Sequence, residues 1–322
     1  MTITEDFSLP GQRAANAPAD AAPPSLQGHP DERCGPHVVA ADAASVALDV
    51  DPIPQHLILD LDGTLIREDE ALPGAAELLA RYRGRCVIVS NNSTHTAQGV
   101  TRRLARMGLD VEAAQLVLAG EVTIAHLRHA HTDARILLAG SAALRRHALD
   151  QGCTLVRADA DLVVLALDPH FNRARLALMA NELRCGARLI ATNGDDNHPG
   201  PDGSLVPETG ALLAALVAAS GTAPLAVIGK PGPRLFEEGM RRLGRTATRA
   251  NTLVIGDNPA TDLRGATAFG LRALLVGPRP EADAATLPDL LARLDRSLPR
   301  PTQYRLSEST SKVLRSVLTE VS

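Results

Sequence analysis

Residues 56–65 read HLILDLDGTL. Leu57, Ile58 and Leu59 form a short apolar run that passes directly into Asp60, Asp62 and Gly63, the pattern of a buried strand whose polar residues begin where it leaves its sheet. The same arrangement recurs along the chain at CVIV (86–89), ILLA (136–139), LVVLAL (162–167), RLIA (188–191), LAVI (225–228), TLVI (252–255) and RALLV (272–276). Longer amphipathic stretches separate these runs. They include TAQGVTRRLARMGL from Thr96, NRARLALMANELRCG from Asn172, and PRLFEEGMRRLG from Pro233, with Gly244 as terminator. Continuous apolar strands joined through helices predict an α/β protein with a central parallel sheet and helices on both faces.

The chain has 322 residues, which at about 150 residues per domain suggests two domains, or one with appendages. Hydrophobic residues make up 45% and charged residues 22%, a globular balance. No apolar run approaches the roughly 18 residues needed to span a bilayer, and the start, MTITEDFSLPG, has acids where a secretory signal would have bases. A cytoplasmic protein with no membrane partner is expected. Cys34, Cys86, Cys153 and Cys185 lie far apart with no CxxC pair, which disfavours zinc and disulfide frameworks. Six aromatics (four Phe, two Tyr) and a net charge of −4 leave neither stacking platforms nor a basic field, so nucleic acid is excluded as a partner.

Residues 1–55 hold eleven Ala and eight Pro with little apolar periodicity, and read as a disordered extension. Residues 291–322 read as a C-terminal tail, with a short helix where Val313, Leu314, Val317, Leu318 and Val321 recur at helical spacing. Between the tails, working residues are sought where strands end, because ligands of open parallel sheets bind outside the carboxyl ends of the strands. Four such ends make one constellation: Asp60 in DLDGTL, Ser90 in SNNST, Lys230 after LAVIG, and GDNPATD with Asp257 and Asp262. Any one alone is weak evidence. All four in order, each after a buried strand, are not a coincidence of loops.

In these motifs the chain resembles the haloacid dehalogenase superfamily of phosphotransferases. The long insert between Ser90 and Lys230, with LALDPHFNRARLALM, GARLIATNGDD and PDGSLVPETGALLAAL, resembles the class IIA phosphatases with a large α/β cap. The resemblance covers roughly residues 55–277. It implies a Rossmann-like core at 56–132 and 225–290, and a cap at 133–224 that closes over the site and sets substrate choice. It also allows a homo-oligomer formed through the cap. The implied activity is Mg²⁺-dependent hydrolysis of a small-molecule phosphate monoester.

A phosphate monoester dianion repels nucleophiles, so the site must supply positive charge and hold the attacking oxygen in line. The resemblance makes Asp60 the nucleophile, through an aspartyl-phosphate, and Asp62 the general acid and base, with a raised pKa. Asp257 would bind Mg²⁺ with Asp60 and the main-chain carbonyl of Asp62, an all-oxygen set suited to a hard cation. Asp262, five residues after Asp257, is either a ligand to the metal's waters or a helix N-cap. Ser90 and the amide of Asn91 would hold phosphoryl oxygens at the head of a helix, unless Ser90 is a plain N-cap. Lys230 would contact both nucleophile and phosphate. A separate argument favours it: the chain has 31 arginines and two lysines, Lys230 and Lys312, so a compact point charge is kept where arginine is the habit.

In the cap, Asn193 and Asp195 match the family's Thr-Asn-x-Asp element, with Gly194 where proline is common and Glu208 in place of a usual glycine. Glu208 reads as the start of the next helix, where acids are favourable. His126, His129 and His131 suit a polar helix end better than a metal site. Two alternatives remain on the same residues: a phosphomutase or other phosphotransferase, and a non-catalytic phosphoacceptor module. Asp62 and a lid of this size argue against the latter.

Overall fold

The computed structural model describes residues 53–200 and 204–296. The expectations for the first 52 residues and for the apolar stretch 313–321 lie outside the described residues. In chain order the strands are β1 (His56–Leu59), β2 (Ile66–Arg67), β3 (Glu70–Ala71), β4 (Cys86–Ser90), β5 (Leu116–Leu118), β6 (Arg135–Ala139) and β7 (Thr154–Leu155). Then follow β8 (Leu162–Leu165), β9 (Arg188–Ala191), β10 (Asn197–Pro199), β11 (Leu205–Pro207), β12 (Ala226–Val227), β13 (Thr252–Gly256) and β14 (Arg272–Leu275). The helices are α1 (Ala75–Arg81), α2 (Ala97–Arg106), α3 (Ala119–Ala130), α4 (Ala142–Asp150) and α5 (Arg173–Arg184), followed by α6 (Thr209–Ser220), α7 (Arg234–Leu243), α8 (Arg264–Phe269) and α9 (Leu287–Arg296). No described helix is long and apolar enough to cross a membrane.

The first sheet runs β14-β13-β1-β4-β5, all parallel. Apart from their end residues, its strands are apolar because each face is covered. Leu57, Leu59, Ile88 and Ile255 pack with Leu78 of α1, Leu104 of α2 and Leu290 of α9. The alternate residues Ile58, Val87, Val89 and Val254 pack with Ile124 of α3, Leu235 and Phe236 of α7, and Ala266 of α8. Alternation between two apolar faces is what makes the strand sequences continuous rather than patterned.

The helices fall where the periodicity predicts them. Thr96 caps α2 by accepting from the Gly99 N–H, Asn172 caps α5 by accepting from the Arg175 N–H, and Gly244 closes α7 at φ 85°.

The second sheet, β12-β9-β8-β6-β7, is also parallel. One of its faces, with Leu137, Val163, Leu165 and Leu189, packs on Met179 and Leu183 of α5 and Leu216 of α6. The other face, through Ile136, Val164 and Ile190, joins the apolar layer under the first sheet.

Two boundaries move from their expected places. The run at 225–228, assigned above to the core, instead adds β12 to the edge of the second sheet, where Ala226 pairs with Ile190 and Val227 with Ala191. Leu225 and Val227 remain exposed there, because a two-residue edge strand has a neighbour on one side only. The tail begins later than residue 291, since Leu287, Leu290, Leu291 and Leu294 of α9 are buried against the first sheet's helical layer.

Candidate active site

β13, β1 and β4 are neighbours, and β1 is where the chain order reverses: β4 and β5 follow it on one side, β13 and β14 on the other. Side chains leaving the carboxyl ends of adjacent strands, about 4.8 Å apart, are brought together there. Asp60 follows β1, and its main-chain N–H donates to the Ile255 carbonyl at 2.8 Å, keeping it in register with β13. Its Oδ1 accepts from Lys230 Nζ at 2.6 Å and its Oδ2 from the buried hydroxyl of Thr64 at 3.1 Å. Lys230 also donates to Asp262 Oδ1 at 2.6 Å and to the Val89 carbonyl at 3.0 Å. An ammonium has three donors, and all three are engaged.

The turn after Asp60 is closed by hydrogen bonds from the Leu65 N–H to the Leu61 carbonyl and from the Gly63 N–H to the Ile66 carbonyl. Gly63 has φ 91°, and a Cβ there would lie 2.3 Å from Asp257 Oδ2. Only glycine meets both demands, so the DLDGTL turn and Asp257 press directly against each other. One carboxylate oxygen from each of Asp60, Asp257 and Asp262 lies within 4.8 Å of the others, the cation-sized acidic cluster found among the described residues.

Burial raises the Asp60 pKa well above the ordinary carboxylate range; Lys230 opposes this, and Asp262 and Asp257 reinforce it. Asp257 is pushed up to about 6 by burial and then by Asp262, against Lys230 and Arg279. Burial alone would lower the Lys230 pKa, but Asp262 and Asp60 outweigh it and raise it, so the ammonium stays charged. Asp62 keeps access to solvent at the rim, and its carboxyl is raised by the protein packed around it, against Arg103, Lys230 and a weak 3.4 Å hydrogen bond from Ser90 Oγ. Three crowded carboxylates around one ammonium leave negative charge that a hard cation with oxygen ligands would satisfy, so the donor set fits Mg²⁺.

Two expectations about helix ends are corrected. Ser90 is the last residue of β4, and α2 begins only at Ala97 with Thr96 as its cap, so Ser90 neither caps a helix nor stands at the head of one. It ends its strand and ties down the loop that follows: Ser90 Oγ accepts from the Asn92 N–H, and Asn92 Oδ1 from the N–H groups of Thr94 and His95. Asp262 is no N-cap either. Asn258 caps that turn by accepting from the Ala260 N–H, and Asp262 lies buried within Pro259–Leu263, accepting from the Asn258 N–H and from Lys230.

The insert also reaches the site. Asp195 Oδ2 accepts from Asn193 Nδ2 at 3.0 Å and from Asn91 Nδ2 at 2.9 Å. Glu208 stands at the start of α6 as expected, but its side chain makes no cap and pairs instead with His198 Nδ1 at 2.8 Å. The rings of His126 and His131 meet edge to face at 5.8 Å and lie outside the acidic cluster. Thr64, the Val89 carbonyl and the side chain of Asn91 were not singled out by sequence. Thr64 was legible within DLDGTL, whereas a main-chain carbonyl carries no residue identity to read.

A family model described as haloacid dehalogenase-like hydrolase matches residues 57–154, and a second, HAD-hydrolase-like, matches 227–291. Among curated relatives, the chain is 32% identical over 222 residues to 5'-nucleotidase YutF of Bacillus subtilis, covering 68% of this chain and 85% of the relative. It is 34% identical over 225 residues to D-glycerol 3-phosphate phosphatase of Mycobacterium tuberculosis, covering 68% and 62%. Among solved structures, 4-nitrophenylphosphatase of Thermotoga maritima superposes with a TM-score of 0.69 at 30% identity, over 74% of this chain and 97% of that one. The glycerol phosphate phosphatase of Mycobacterium tuberculosis in complex with magnesium gives 0.64 at 33% identity, over 70% and 68%.

Proposed function

Because the chain belongs to the haloacid dehalogenase-like hydrolases, as a class IIA phosphatase, we propose that it hydrolyses a small-molecule phosphate monoester in two steps through phosphorylated Asp60. The observation that carries this is the buried Asp60–Lys230–Asp262 chain, with 2.6 Å contacts on both sides of the ammonium, at the carboxyl edge of the sheet. In the first step an Asp60 oxygen attacks phosphorus in line, the bond to the leaving oxygen breaks, and Asp62 gives that oxygen its proton. In the second step Asp62 takes a proton from water, whose oxygen attacks phosphorus and releases phosphate and the Asp60 carboxylate. A raised Asp62 pKa suits both halves of this cycle, since the group must hold a proton first and accept one later.

Ser90 and the Asn91 main chain hold phosphoryl oxygens, and Lys230 reaches one by giving up one of its three contacts, of which the 3.0 Å one to the Val89 carbonyl is the longest. Asp60, Asp257 and the main-chain carbonyl of Asp62 would hold Mg²⁺, with Asp262 orienting the lysine beside it. Bound there, the cation supplies charge neutralisation at the phosphoryl group. The segment from β6 to β12 acts as the cap, and the His198–Glu208 pair beside Asn193 and Asp195 bears on substrate choice. The test is phosphate release, with and without Mg²⁺, from para-nitrophenyl phosphate, phosphoglycolate, glycerol phosphate, pyridoxal phosphate and nucleotides. We expect at least one to be turned over in Mg²⁺ alone and Asp60→Asn to abolish turnover in a folded protein, because an amide of nearly the same shape is a poor nucleophile. Wild-type-like turnover by purified Asp60→Asn would overturn the mechanism.

A further inference from the structure

Lys230 stands at a crossing. The strand before it, β12, belongs to the second sheet, and the helix after it, α7, packs under the first. No strand of the first sheet therefore sets the position of its backbone, although its ammonium must meet Asp60, Asp262 and the Val89 carbonyl together. The carboxamide of Asn91 does this instead. Asn91 Oδ1 accepts from the Lys230 N–H at 2.7 Å, and Asn91 Nδ2 donates to the Lys230 carbonyl at 3.1 Å. This two-point grip satisfies both main-chain groups of one residue, as a strand neighbour would.

The amide's remaining donor goes to Asp195 Oδ2 at 2.9 Å, on the loop that follows β9. A carboxamide offers two N–H donors and an oxygen with two lone pairs, so both donors and one lone pair are committed here. Asp195 is itself oriented by Asn193 Nδ2, and Asn193 Oδ1 accepts from Thr192 Oγ1 at 2.8 Å. Gly229 leaves room for the junction: a Cβ there would lie 2.6 Å from Asn91 Oδ1 and 2.9 Å from the Asn193 Cβ.

We propose that Asn91 is a positioning residue whose side chain couples the cap loop, through Asp195, to the main chain of Lys230. The geometry of the catalytic lysine then depends on that loop being seated. When Asp195 withdraws, the amide loses its charged acceptor and can rotate out of its grip. The catalytic part of this inference rests on the phosphatase reading above.

The full-length protein tests it by steady-state hydrolysis of para-nitrophenyl phosphate in Mg²⁺, with thermal unfolding alongside. Asn91→Asp keeps the shape and the acceptor for the Lys230 N–H, but removes both donors and sets a carboxylate against Asp195. It should lower kcat by about thirtyfold or more while KM changes by less than about threefold, because what is lost is lysine placement rather than substrate contact. Asp195→Asn alone still offers an oxygen to Asn91 and should cost less than about fivefold.

The double variant Asn91→Asp/Asp195→Asn exchanges donor and acceptor across the contact to the cap loop but does not restore the donor to the Lys230 carbonyl, and should recover about threefold or more over Asn91→Asp. A generic packing role predicts no such rescue. A folded double variant no faster than Asn91→Asp, or unchanged kcat in Asn91→Asp, would overturn the coupling. If the wild-type protein releases no phosphate from any monoester, it is the functional reading that fails. The coupling is then decided by melting temperature, which Asn91→Asp should lower and the double variant should restore by at least half; no restoration overturns it.

Discussion

Lys230 is held on three sides by Asp60, Asp262 and the Val89 carbonyl, in a space that leaves it 3% exposed. A guanidinium is planar, larger, and built for forked contacts, and it cannot place three donors at these three oxygens from the same stem. We predict that Lys230→Arg, though it retains charge, lowers kcat roughly a hundredfold. This corresponds to about 3 kcal/mol for one misplaced charge-assisted contact in the transition state. Steady-state kinetics with circular dichroism checks this, and turnover within threefold of wild type would remove Lys230 from the reaction. At this scale the sequence is informative because each group carries its own chemistry: the strand-end motifs single out Asp60, Lys230, Asp257 and Asp262 by type and position, and the structure brings these four together. Asn91 was identifiable only as a main-chain contact, since nothing in its neighbours reveals what its amide touches.

Helices α2, α5 and α7 were legible with their caps because periodicity and capping residues are local properties. The hairpins β2–β3 and β10–β11 were not, since strands so short exist only by virtue of their partners, and for β12 the apolar run was legible but not the sheet it joins. Helix α9 shows the same limit. Leu287, Leu290, Leu291 and Leu294 have helical spacing, yet only the apolar layer containing Leu78 and Leu104 makes that face worth burying. Leu294 is fully buried, so Leu294→Ala should destabilise the protein by about 2–5 kcal/mol, from lost transfer energy plus the cavity left behind. Because α9 supplies none of the side chains placed at the site, kcat should stay within twofold at temperatures where the variant is folded. A urea unfolding midpoint equal to wild type would show that α9 does not close the core.

For the molecule as a whole, the acidic cluster makes stability depend on pH and on metal. The folded-state pKa of Asp257 lies near 6, above its ordinary value of 3.8. The stability from this group is therefore complete below the ordinary value and lost as pH rises through about 6, when a crowded carboxyl must ionise. Asp60 shifts in the same direction. A cation held by these oxygens favours the ionised forms and binds the folded chain alone. We predict that excess Mg²⁺ raises the melting temperature over EDTA-treated protein, and that the increment is larger at pH 8 than at pH 5.5. Equal melting temperatures with Mg²⁺ and EDTA at pH 8 would exclude a metal at this cluster.

The α/β class, the order of the four motifs and the types of their residues follow from the sequence by itself, because strand burial on two faces and the chemistry of an acid or a lysine are written into single residues and their near neighbours. Which strands share a sheet is decided by long-range pairing. That pairing put β12 at the edge of the second sheet rather than in the first, carried Asp262 from a helix end into the acidic cluster, and brought Asp195 within 2.9 Å of Asn91 across a sequence separation of 104 residues. A hydrogen bond between such distant residues leaves no local pattern, since its partners are chosen by packing of the whole chain and only then by their own chemistry.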